Sequence, residues 1–398
     1  MELKPGYQQT EVGVIPEDWE IKEIDQICTP SKVRINPLTT ITNHKCIELE
    51  HLSQGTGQLL GFADSNQLKS QKAVFRNGDV LFGKLRPYLK KYFFPEFDGV
   101  CTTEIWVLHP SPSVVNRWLY FIVQSDRFLD IANQSTGTKM PRAEWSIVRK
   151  ALIPIPSTKT EQTAIANALG DADALIQSLA SLIAKKRQIK QGAMQTLLNP
   201  YENGQLKMGW VVKKLSDIFE ITAGGDLRKD EFSQTADENH QYPIYSNALT
   251  NLGFYGYCKS FDYSGSFITV TARGGVGFAV ARNCAFAAIG RLLVLKPIND
   301  INCQFVSEYI NLWIEFANEN TGVPQLTAPQ ISKYEIAFPS KNSEQTRIAT
   351  ILSDMDAEIA ALETKLAKYR HIKQGMMQNL LTGRIRLVQP GSNTGAIA

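Results

Sequence analysis

Residues 161–198 read EQTAIANALGDADALIQSLASLIAKKRQIKQGAMQTLL, and residues 344–381 read EQTRIATILSDMDAEIAALETKLAKYRHIKQGMMQNLL. The two stretches align without a gap at a constant offset of 183, and 22 of the 38 positions are identical. Shared helical composition does not give that identity in fixed register, so the chain carries an internal duplication. In the second copy Ile348, Leu352, Met355, Ile359, Leu362, Leu366, Tyr369, Lys373, Met376 and Leu380 recur in alternating steps of four and three. That spacing is a coiled-coil seam, interrupted at Lys373. The first copy follows with Ile165, Leu169, Ala172, Ile176, Leu179 and Ile183, then weakens at Lys186 and Lys190. Both copies are expected to be long helices. Thr160 and Ser343 are the N-cap candidates, each followed by a glutamate that suits the positive helix end. Gly192 and Gly375 are where a bend or local break is expected.

A weaker likeness precedes each globular region: WEIKEIDQI at 19–27 matches WVVKKLSDI at 210–218. Each half then runs from a tryptophan lead-in through a globular region to a Pro-ended strand (151–156 and 335–339) and a long helix. Asn199–Gly209 is a turn-rich linker. The expected division is a first globular domain over 1–156, a helix over 157–198, linker and second domain over 199–339, a second helix over 340–383, and a tail over 384–398. Seams that pair within one chain require antiparallel helices, with the globular domains at opposite ends. At about 1.5 Å per residue such a helix spans at most roughly 57 Å. Dimers that read DNA place their half-sites about 34–36 Å apart, or a multiple of that.

The globular regions mix apolar strand-like runs (73–75, 80–82, 105–108, 267–270, 292–295) with helical patches at 114–132 and 304–318, between Gly and Pro turns. Each is read as an α/β domain of α+β character with a loop-rich sheet. The chain has 398 residues, enough for two such cores. Its six cysteines are scattered, with no C-x-x-C and no clustering with the five histidines, which argues against a disulfide framework or a zinc site. The first residues lack a signal-peptide apolar run and no stretch is apolar enough for a membrane span, so a cytoplasmic protein is expected. A net charge of +3 permits nucleic-acid binding without announcing it, so local patches must carry that case.

Residues 78–94, GDVLFGKLRPYLKKYFF, interleave Lys84, Arg86, Lys90 and Lys91 with Tyr88 and further aromatics. Cations satisfy phosphates, arginine can take a guanine edge bidentately, and aromatics pack on sugars or bases. A core strand with solvated charges would look the same locally. In the second region SFITVTARGGVGFAV, residues 266–280, places Arg273 beside Gly274, Gly275 and Gly277, where backbone can approach a phosphate. A tight hairpin with an incidental arginine is the plain alternative. The loop TGTKMPR at 136–142 corresponds to TGVPQL at 321–326, which makes Lys139, Arg142 and Gln325 further candidates.

Enzyme motifs fail. Gly78 to Lys84 fits G-x-x-x-x-G-K, but Leu85 stands where a phosphate-binding loop needs a hydroxyl for magnesium. Asn199-Pro200-Tyr201 lacks the second proline of the amino-methyltransferase N-P-P-[YF] motif. The acid pairs Asp171/Asp173 and Asp354/Asp356 are expected as solvated helix positions, not a metal site.

Taken together, the lead-in GVIPEDW at 13–19, the segment GDVLFGKLRPYLKK, the TGTKMPR loop and the two repeated helices resemble the specificity subunit of type I restriction–modification enzymes, HsdS. The likeness covers nearly the whole chain. It implies two target recognition domains, each reading one half of a bipartite site in double-stranded DNA, with the paired helices fixing the spacer. It also implies docking of two methylation subunits, which bring S-adenosylmethionine and the catalysis, and of restriction and translocation subunits. No cofactor and no catalytic residue are expected on this chain itself. The repeated glutamines Gln162, Gln191, Gln345 and Gln374 are the expected partner-binding positions of the helices. Two other readings remain open: a two-domain protein-binding scaffold without DNA specificity, and a self-sufficient methyltransferase, which the missing motifs disfavour.

Overall fold

The computed structural model describes residues 3–37, 44–64, 70–134, 140–316 and 325–388. The chain divides into two compact units, Met1–Ala180 with Lys365–Ala398, and Ser181–Thr364. The division falls inside both long helices, Lys159–Leu197 and Asn342–Leu380. Each unit therefore holds the start of one repeated helix and the end of the other.

The seam read from the sequence is the buried face. Ile165 and Leu169 join the core of the first unit, and Ile348 and Leu352 join that of the second. Complete burial of such a side chain is worth about 1.5–3 kcal/mol. Every seam residue, including Tyr369 and the three lysines, is at least partly covered. The helix ends complete the exchange: Leu380 and Leu381 enter the first core and Leu197 and Leu198 pack in the second. Inside each unit the helices run antiparallel. In the second, Lys186 meets Glu358 at 2.7 Å and Lys190, one turn on, meets Asp356 at 2.6 Å. In the first, Lys373 meets Asp173 at 2.6 Å, which is the Lys190–Asp356 pair repeated at the offset of 183.

These pairs refine the reading of the helical acids. Asp173 and Asp356 are the counter-ions of the seam lysines; Asp173 is half-buried rather than solvated, whereas Asp171, Asp354 and Asp356 are exposed as expected. Burial pushes the Asp173 carboxyl up, and Lys373 and Arg117 hold it partly down. A polar pair in an otherwise apolar seam fixes register, because any slip leaves a half-buried charge unmatched. Two further expectations shift. The first helix starts at Lys159, with the Thr158 hydroxyl accepting from the Glu161 amide at 3.3 Å, and the second starts at Asn342, so Thr160 and Ser343 lie within the first turns. Neither Gly192 nor Gly375 breaks its helix. Each carbonyl also accepts from a side chain one turn on, Thr196 and Asn379, while the helix continues.

The two globular regions share the topology of one four-stranded sheet. In the first unit an antiparallel sheet orders Tyr92–Phe93, Val80–Gly83, Ile105–Pro110 and Cys28–Pro30. In the second the order is Ala279–Asn283, Ser266–Val270, Leu293–Pro297 and Phe219–Ala223. Each unit adds a second sheet with one parallel pair, Lys45–Ile47 with Gly99–Thr102, and Tyr242–Tyr245 with Ala287–Ala288. The tryptophan lead-ins pair with the Pro-ended strands in matching register, Trp19 opposite Pro156 and Trp210 opposite Pro339. The first helical patch is two helices, Asn116–Ile122 and Asp126–Ala132, separated where the Ser125 hydroxyl caps the second. The second patch is the single helix Cys303–Trp313. No helix among the described residues is long and apolar enough to cross a membrane.

Candidate nucleic-acid interface

In the first unit the strand Val80–Gly83 is wholly buried, which disposes of a phosphate-binding loop at Gly78–Lys84. Where the strand ends, its backbone is clasped by the loop at 140–143. The Ala143 amide donates to the Lys84 carbonyl and the Arg86 amide to the Pro141 carbonyl, both at 2.8 Å, and Leu85 bridges Arg142. Lys84 and Arg86 thus share one surface with Arg142, which is distant in sequence. Glu104 Oε2 accepts from Arg142 Nε at 3.0 Å and aims the guanidinium.

A short 3-10 turn, Pro87–Leu89, follows, with left-handed backbone at both flanks, Arg86 at φ 52° and Lys90 at φ 50°. Side-chain-bearing residues enter that region at a steric cost, and such strain gathers at binding sites. Pro87 is buried beneath, while Tyr88 stands 54% exposed between Arg86 and Lys90. The Gly55 amide holds the Lys90 carbonyl at 2.9 Å, and the Tyr92 hydroxyl donates to the Gly55 carbonyl at 2.8 Å. Beside Lys90 opens a cavity of about 820 Å³, lined also by Arg127, Arg370, Lys373 and Gln374.

Four expected positions need comment. Lys91 is half-buried and its amine is engaged within the unit, donating to the Leu49 carbonyl. Lys139 lies outside the described residues. Gln162 and Gln345 are buried and cannot meet a partner. The Gln162 amide oxygen accepts from the Val115 amide at 2.8 Å and its nitrogen donates to the Pro156 carbonyl at 3.1 Å. Gln345 does the same with Asn302 at 2.9 Å and Pro339 at 2.8 Å. Each clamps the strand end before its own helix to the helix behind. Gln191 and Gln374, by contrast, are exposed.

In the second unit Ser266–Val270 occupies the sheet position of Val80–Gly83. Its continuation is clasped in the same manner, with the Leu326 amide donating to the Ala272 carbonyl at 2.9 Å and Arg273 bridging Gln325. The Arg273 guanidinium donates to Gln325 Oε1 at 3.1 Å, so both candidates share one exposed site. Register makes Arg273 the counterpart of Leu85 and Gln325 that of Arg142. FITVTARG at 267–274 is thus structurally equivalent to DVLFGKLR at 79–86, which their sequences do not suggest.

Three residues here escaped the sequence reading. Asn247 ties the Arg273 loop to a third loop, Arg291 is exposed in a turn on that loop with φ 67°, and Arg282 is buried beneath. No periodicity or motif marks them. Among the described residues no group of three or more His, Cys, Asp or Glu side chains could hold a metal ion. Asn199-Pro200-Tyr201 is a local turn in which the Asn199 side-chain oxygen accepts from the Tyr201 amide at 3.0 Å.

The family model for the type I restriction modification DNA specificity domain matches twice, over residues 16–188 and 207–369. The chain therefore belongs to the type I restriction–modification specificity family, whose members are the non-catalytic subunits of those systems. A Mycoplasma pneumoniae (strain ATCC 29342 / M129 / Subtype 1) protein bearing a type I specificity-subunit name is 26% identical over 212 residues, covering 53% of this chain and 57% of that protein. This match thus spans little more than half of that relative. The type I restriction enzyme MjaVIII specificity subunit of Methanocaldococcus jannaschii is 21% identical over 418 residues, 94% of both chains. Among solved structures, the type I S subunit from M. genitalium aligns with a TM-score of 0.64 at 16% identity, covering 96% of this chain and 98% of that one. That likeness shows a shared fold.

Proposed function

We propose that this chain reads a bipartite duplex DNA target, one half-site per unit, and docks methylation and restriction subunits through its long helices. One observation carries the reading: both units present a cation-bearing loop at the same point of the same sheet, clasped by the same backbone bonds, with different side chains at its tip. A common frame with divergent tips suits two domains that read different sequences. Arg86, with Lys84, Tyr88, Lys90 and Arg142, serves the first half-site; Arg273 with Gln325 serves the second. S-adenosylmethionine and the methyl-transfer chemistry belong to the methylation subunits, and the exposed Gln191 and Gln374 lie on the helix faces offered to partners.

The test is a map of methylated adenines in host DNA with the chain intact, deleted, or carrying Arg86→Ala or Arg273→Ala. Deletion removes a two-part motif, and each variant relaxes one part only. Retention of the full motif in both variants would overturn the arginine assignment; a motif without two parts would overturn the bipartite reading.

A further inference from the structure

Three loops of the second unit meet at Asn247. Its side-chain oxygen accepts from the Ala272 amide and its nitrogen donates to the Gly290 carbonyl, each at 2.6 Å. The loop bearing Arg273 and the turn bearing Arg291 are so held beside the segment 246–253. That segment projects two large apolar side chains, Leu249 at 52% and Leu252 at 54% exposure. Its backbone is left-handed at two successive residues, Asn251 (φ 49°, ψ 38°) and Leu252 (φ 51°, ψ 32°). Asparagine tolerates that region; leucine has no polar group to offset the clash. A loop that merely closed the chain would place glycine there.

The strained shape is over-determined by what surrounds it. The Ser246 amide and hydroxyl both donate to the Gly253 carbonyl, at 2.7 and 3.2 Å. Beneath it lies Arg282, only 6% exposed, with its guanidinium 3.6 Å from the centre of the Tyr245 ring. Arg282 Nε donates to Thr269 Oγ1 at 3.0 Å, and a terminal nitrogen donates to the Leu252 carbonyl. Among the described residues no ion pair with a carboxylate joins this buried cation, so its contacts serve the loop. Leu249 packs over Gly275 of the Arg273 loop, where a Cβ would collide with it.

The surface is therefore an apolar tip, held by several hydrogen bonds, beside the two loops that carry the exposed Arg273 and Arg291. A polyanion with an apolar spot on its readable edge fits it. In duplex DNA the phosphates answer the arginines, and the apolar group a base pair shows in the major groove is the thymine C5-methyl. We infer that the Leu249–Gly253 loop is a specificity-determining element of the second unit, with Leu252 seated on a thymine methyl and Arg282 and Asn247 as positioning residues. This rests on the DNA-reading function proposed above.

The experiment uses the assembled methyltransferase complex and a duplex carrying the mapped target. Each thymine of the half-site that Arg273→Ala relaxes is replaced in turn by deoxyuridine, which removes only the methyl. Binding of the unaltered protein should weaken about fourfold at one position, the worth of one buried methyl group. Leu252→Ala should bind the thymine duplex that much more weakly and lose nothing further with uracil. Arg282→Lys keeps the charge but cannot span Thr269, the Leu252 carbonyl and the Tyr245 ring together. It should abolish the thymine–uracil difference while the first half-site is read as before. A half-site without thymine, indifference of the unaltered protein to every replacement, or an equal loss by Leu252→Ala on both duplexes would overturn the loop's role. An intact difference in Arg282→Lys would overturn the positioning role. If Arg273→Ala relaxes neither half-site, the DNA reading of this unit itself fails, a separate result.

Discussion

Gln162 and Gln345 stand at corresponding places and make corresponding bonds, whereas Arg86 and Arg273, the leading tip cations, do not share even a sheet position. The contrast separates two kinds of residue in a duplicated chain. A buried glutamine must satisfy an amide on one side and a carbonyl on the other, and a substitute that leaves either unpaired is costly. A side chain at a loop tip answers only to its ligand. The clasp beneath it is backbone to backbone, so the tip can change without disturbing the frame. The repeated glutamates, by contrast, differ between the units. Glu161 is buried, accepts from the Trp19 indole at 3.2 Å, and holds Arg386, which also grips Asp18 in two bonds. Its counterpart Glu344 pairs at the surface with Arg347.

The glutamate contrast should give the largest effect. Glu161→Ala removes a counter-ion from a mostly covered arginine and should destabilise the first unit by about 3 kcal/mol. Glu344→Ala should leave the urea midpoint unchanged, since exposed pairs contribute little. Equal losses would erase the difference. Next come the glutamines: Gln162→Ala and Gln345→Ala should each cost about 2 kcal/mol, confined to one unit. Hydrogen exchange at the Val115 and Asn302 amides would report it, and protection unchanged at either would break the symmetry between the units. The tip variants Arg86→Ala and Arg273→Ala should each cost about 1–3 kcal/mol of discrimination at one base pair, with thermal stability retained. A shared fall in melting temperature would make them frame residues after all.

The smallest effect needs no mutation. Burial pushes the Cys28 and Cys46 thiols up to about 12 and raises those of Cys101, Cys258 and Cys303, while Cys284 alone is exposed. At pH 8 a thiol reagent should modify one cysteine per native chain at once and the other five on unfolding. Rapid modification of more than one would show that a unit opens.

Much of this was legible beforehand. The seam, the duplicated lead-ins, the Pro-ended strands and the short apolar strands all follow from local period and repetition. Arg273 and Gln325 are each legible as candidates from their own loops, but that they meet is not. Gln162 and Gln345 turn inward while Gln191 and Gln374 stay exposed, and the sequence does not separate them, since a repeated polar residue on a helix looks alike whether it faces a partner or its own core.

From sequence alone the chain is settled as two related halves, each ending in a helix whose apolar stripe needs a mate. Period and repeat are local properties, readable without knowing what lies opposite. Tertiary structure alone decided that the end of each helix completes the other half's core, that Lys190 and Lys373 find Asp356 and Asp173, and that Asn247, Arg282 and Leu252 form one surface. Those groups meet through hydrogen bonds and packing between segments distant in the chain. Such meetings follow from the way the strands and loops are folded together, and no spacing along the sequence encodes them.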